Sequence, residues 1–137
     1  MRFEHGEHNE SLCDHLLTNT PGKFNDWVVT TAFYACIHFV EHKIFPSTID
    51  SEDFENFENY CDVQHNKVKN PLSKHALKAE LVKKRIPSIS SQYRWLKEAC
   101  MNSRYTNYSV SDEKARNSNL IMKKIKEACS KDRAKAA

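Results

Sequence analysis

The segment His38-Phe39-Val40-Glu41-His42 has the H-x-x-E-H spacing of a zinc-hydrolase helix. Two imidazoles four residues apart share one helical face and can bind one metal, with the glutamate as general base. Such a site needs a third protein ligand, and nothing in the chain marks one. The plainer reading makes His38 a hydrogen-bonded core histidine and His42 a favourable cation near a helix C-terminus. His75 and Arg104 offer a second chemistry. Metal-free RNA cleavage needs a base for the 2′-hydroxyl and a cation for the phosphorane. His75 and Arg104 fill those roles if adjacent helices bring them together. Otherwise His75 packs between helices and Arg104 holds a carboxylate. With only two glycines, Gly6 and Gly22, the chain has no P-loop, dinucleotide fingerprint or nucleophile elbow. No cofactor is expected.

A third chemistry is electrostatic. Residues 1–62 carry three basic side chains against twelve acidic ones, a balance of −9. Residues 63–137 carry eighteen against six, a balance of +12. Such asymmetry points to a polyanionic partner. The candidate contacts are Lys83, Lys84 and Arg85, then Arg94, Lys97, Arg104 and Tyr105, then Arg116 and Lys123. Tyr93, Trp95 and Tyr108 are interleaved with them. Cations neutralise phosphates, and exposed aromatic rings stack on unpaired bases. Two other readings stay open. The lysines form an ordinary solvated face with Tyr93 and Tyr105 in the core, or the acidic segment 50–62 docks on the basic half.

These residues need elements to position them. The scarcity of glycine argues for helices and against tight-turned sheets. A first helix is expected over 7–18, stopped by Pro21-Gly22. The strongest runs over 25–45, capped by Asn25 or Asp26 and ended by Pro46. Trp27, Thr31, Tyr34, His38 and Phe45 form one stripe on it, and Val28, Ala32, Ala35, Phe39 and His42 lie alongside. Apolar side chains wrap most of its circumference, which predicts the central helix of a bundle. Ser51 is expected to cap a short helix carrying Phe54, Phe57 and Tyr60, followed by a loop over 66–71. Further helices are expected over 72–85 and 89–103, separated by Pro87. Ser111 caps the last helix, whose buried face is Ser118, Met122, Ile125 and Cys129. The expected fold is all-α: an antiparallel up-and-down bundle of four main helices plus short extras, one domain over 1–130 with a fraying basic tail over 131–137.

The five cysteines are scattered and odd in number, as in a reducing compartment. Glu4, His5 and Glu7 stand where a signal peptide would be apolar. The most apolar stretch, 27–40, falls short of the roughly 20 residues a membrane span needs. A cytoplasmic protein without membrane contact is expected.

The helix over 25–45, with Ala32-Phe33-Tyr34-Ala35 followed by His38, is similar to the second helix of small bacterial HEPN-like proteins. The run of His75, Val82, Tyr93, Leu96 and Ser103-Arg104-Tyr105 resembles them too, as does the polar Asn9 in the first helix. The likeness covers roughly 8–128. It implies an up-and-down helical bundle, often dimeric, working near RNA or nucleotides, frequently in toxin–antitoxin or phage-defence settings. Active HEPN ribonucleases carry R-x(4–6)-H near the start of a late helix. Here no histidine follows His75, so Arg104 and Arg116 lack that partner. Arg2 and His8 have the spacing but lie in the first helix, and Lys78 stands where relatives often show arginine. The resemblance therefore implies a non-catalytic or degenerate member that binds RNA, a nucleotide or a protein partner, with a homodimer expected. The alternatives are an interaction module joined by acidic-to-basic docking, and a metal-dependent hydrolase built on His38, Glu41 and His42.

Overall fold

Helix α1 (Arg2–Asn19) begins earlier than its polar sequence suggests. Its first turn is held by aromatic packing: the Phe3 ring lies 5.0 Å from Phe39 and 5.0 Å from His42, centroid to centroid. Helix α2 (Asn25–Ile44) returns beside it. The computed structural model describes residues 2–105 and 109–136. Within them α2 is the axis of the fold, packed against α1 and against three later helices. The expected side-chain cap of α2 is absent. Asn25 instead donates to the Val110 carbonyl (3.0 Å) and to Asp112 Oδ1 (2.8 Å), which fastens the start of α2 to a distant part of the chain.

The segment after α2 departs from expectation. Ser51 caps no helix. The chain forms a small antiparallel hairpin, β1 (Ser47–Ile49) with β2 (Glu52–Phe54), in the register Ser47↔Phe54 and Ile49↔Glu52. Its two-residue turn needs positive φ at both central positions, and Asp50 (52°) and Ser51 (67°) supply it without glycine. Phe54 and Ile49 point inward to the core. Asn56 then caps α3 (Phe57–Lys67), accepting from the Asn59 amide at 2.9 Å.

Helix α4 (Lys74–Arg85) starts at Ser73, whose hydroxyl accepts from the Ala76 amide at 3.2 Å. A 3-10 turn at Pro87–Ile89 leads directly into α5 (Ser90–Tyr105). Helix α6 (Asp112–Ala136) is capped as expected, with Ser111 accepting from the Lys114 amide at 3.1 Å. The side chains of the tail 131–137 lie outside the described residues. Phe33, Phe39, Tyr93, Leu96, Met122 and Ile125 fill the core between α1, α2, α5 and α6. The fold is thus an all-α bundle with one small hairpin. All five cysteines are buried. Among the described residues no helix is long and apolar enough to cross a membrane.

Candidate nucleic-acid interface

The first and last helices of the bundle lie side by side, and their charges meet. Glu7, Glu10 and Asp14 share one face of α1. Lys123 Nζ lies 2.6 Å from Glu10 and 2.8 Å from Asp14; Lys126 Nζ lies 2.8 Å from Glu10 and 3.4 Å from Glu7. Burial alone would raise the Glu10 carboxyl, yet the two ammonium groups hold it below its ordinary value. Lys123, expected on an RNA surface, is therefore engaged within the molecule. The expected docking of residues 50–62 on the basic helices takes another form. Glu52 pairs with Lys67 at 3.5 Å, and the hairpin meets Arg85 through the Thr48 carbonyl at 2.6 Å. Lys83, Lys84, Arg94 and Arg116 are exposed on separate parts of the surface, while Tyr93 is buried. The Tyr105 side chain and Tyr108 lie outside the described residues.

The H-x-x-E-H helix does not assemble a metal centre. Each imidazole packs against a ring of α1: His38 lies 5.5 Å from His5, and His42 lies 5.0 Å from Phe3. Glu41 is buried and accepts from Lys78 Nζ at 2.6 Å. Among the described residues no group of three His, Cys, Asp or Glu side chains is placed to hold a metal. Burial pushes the His38 imidazole below its ordinary pKa, against the opposing pull of Glu41.

His75 and Arg104 are anchored apart. The His75 ring lies 5.7 Å from Phe33, whereas the Arg104 guanidinium lies 5.2 Å over Trp27. Those anchors are six residues apart on α2, about 9 Å along its axis. Among the described residues Arg104 thus lies over a ring and pairs with no carboxylate. Burial, then Lys78 and Lys97, hold His75 below its ordinary pKa, and its buried Nδ1 has no hydrogen-bond partner among the described residues. Cys61 lies 3.5 Å from His65 Nε2, but burial raises its thiol, the wrong direction for a nucleophile.

A different surface emerges along α2. Trp27 is 48% exposed and Tyr34 is 41% exposed. They are seven residues apart, so both rings stand on one face, about 10 Å apart along the axis. Thr31 between them is buried and donates to the Trp27 carbonyl at 2.7 Å, so it does not block the face. Arg104 lies on the first ring. Lys97, two turns earlier on α5, stands near His75. Beyond Tyr34 the face opens into a groove of about 610 Å³ between α2, α3 and α4, lined in part by His38, Lys74, His75 and the Glu41–Lys78 pair. A larger hollow of about 790 Å³ lies between α5 and α6 beside Trp95 and Leu120. It has fewer converging titratable groups and lies off the α2 face. The stripe Trp27, Thr31, Tyr34, His38 was visible in the sequence. What was not visible is that neighbouring helices leave this side of α2 uncovered.

No family model matches this chain, and neither a curated protein nor a solved structure shows significant similarity to it.

Proposed function

We propose that this chain is a HEPN-like helical protein that binds single-stranded RNA without cleaving it, in a toxin–antitoxin or phage-defence setting. The binding reading is carried by one observation: two exposed rings, Trp27 and Tyr34, on one face of α2, with the Arg104 guanidinium 5.2 Å over the first. Aromatic rings at such spacing accept unpaired bases, and flanking cations follow the phosphates. Exposed Lys83, Lys84, Arg94 and Arg116 add a long-range field that steers a polyanion inward. The HEPN-like assignment rests on the sequence resemblance and on the helical bundle that it implies. Cleavage is left out because His75 and Arg104 do not converge and Glu41 is already paired.

Docking between copies through acidic and basic halves has less support, since the carboxylates of α1 are paired with Lys123 and Lys126 of the same molecule. The test is fluorescence anisotropy of a labelled single-stranded oligouridylate. Binding is expected at low salt, weakening steeply as salt rises. Trp27→Ala is expected to weaken it by about fivefold or more, the lower end of a lost base stack. No binding at low salt refutes the reading.

A further inference from the structure

The groove at the end of the α2 face has a charge pattern unlike the rest of that surface. Its floor is neutral, because Lys78 and Glu41 pair at 2.6 Å and the ammonium also sits 4.3 Å over the Phe57 ring. Its rim is not neutral. Glu58 and Asp62, four residues apart on α3, stand on one helical face and both line the groove, as does Lys74 from the first turn of α4. Among the described residues neither of these carboxylates, nor Lys74, makes an ion pair. Tyr34 supplies an exposed ring at the mouth.

Carboxylates repel a phosphate, so this is not where an RNA backbone lies. They do accept hydrogen bonds from base edges. Among the four bases only guanine presents two adjacent donors, N1–H and the N2 amino group, which match the two oxygens of one carboxylate. Its O6 and N7 are acceptors and suit an ammonium group. Adenine reverses the pattern: its amino group would face Lys74, and its N1 lone pair would face a carboxylate. Unstacked bases of single-stranded RNA are commonly read in this way, stacked on a ring and bonded along their edges.

We infer that the groove between α2, α3 and α4 is a guanine pocket, in which Tyr34 stacks on the base, Glu58 or Asp62 accepts from its N1–H and amino group, and Lys74 donates to O6 or N7. This inference rests on the RNA-binding reading and names what that surface selects. The experiment compares three single-stranded RNA heptamers: all uridine, and the same chain with one central guanosine or one central adenosine. The guanosine heptamer is expected to bind about tenfold tighter than the other two. In the Glu58→Gln/Asp62→Asn protein that ratio is expected to fall to one, and circular dichroism checks that the exposed substitutions leave the helices intact. Equal binding of the uridine and guanosine heptamers overturns the pocket while leaving RNA binding in place. Equal gains for guanosine and adenosine reduce the effect to purine stacking and also overturn it. A guanosine preference that survives the double substitution overturns the assignment to this groove. Failure of all three heptamers to bind refutes the RNA-binding reading itself.

Discussion

Lys78 shows what a single buried charge demands. Its side chain is only 10% exposed, and that of Glu41 is 11% exposed. The ammonium is satisfied by the carboxylate and by the Phe57 ring together. Removing one partner leaves the other buried and unpaired, which is worse than removing both. Lys78→Met is therefore expected to lower unfolding free energy by about 3–5 kcal/mol. Lys78→Met combined with Glu41→Leu is expected to recover most of that loss. Urea titrations of the two proteins decide it; equal losses would mean that the pair contributes nothing specific. His75 illustrates a subtler effect. Burial disfavours its charged form, so it faces the groove as a neutral imidazole near neutral pH. A sequence gives the spacing of His38, Glu41 and His75, but it does not give the lysine that occupies the glutamate.

The helices were legible where a local signal sets their ends. Ser111 caps the helix that follows, as its sequence suggests, because a cap depends only on a hydroxyl and an amide three residues on. The hairpin was not legible. Its strands are three residues each, too short to show alternation, and its turn is Asp50-Ser51 without the glycine that usually marks one. The long reach of α1 also depends on contacts far away in sequence. Gly6 packs against the buried Phe39 ring, and a Cβ there would stand 2.7 Å from ring atom Cδ1. Gly6→Ala is expected to destabilise the protein by about 1–3 kcal/mol, because the enclosed ring has little room to yield. An unchanged melting temperature would refute the close packing of α1 on α2. The α1–α6 ion pairs make a pH prediction. Glu10 and Asp14 are held below their ordinary values despite burial, by Lys123 with Lys126 and Asn119. Depressed carboxyls contribute stability above their unfolded values, about pH 4, and lose it as pH falls through the folded ones. Stability is thus expected to drop below about pH 4.5, and to drop less in a Glu10→Gln protein. Urea midpoints measured from pH 6 down to pH 3 check this.

For the whole molecule, the division into an acidic and a basic half has two consequences. Part of it is internal: α1 and α6 are remote in sequence, adjacent in space and opposite in charge. The remainder is spread over exposed lysines and arginines of α4, α5 and α6. Counting charge along the chain therefore pointed to a polyanion but favoured residues such as Lys123 that are already engaged. The face that remains is set by which side of α2 the other helices leave open, and packing decides that. The chain contains two tryptophans, Trp27 on that face and Trp95 beside the α5–α6 hollow. Their fluorescence separates the two surfaces. A Trp95→Phe protein, in which Trp27 is the sole emitter, is expected to be quenched saturably by single-stranded RNA and restored by high salt. A Trp27→Phe protein is expected to show little change. Quenching confined to Trp95, or none from Trp27, would contradict RNA binding on the α2 face.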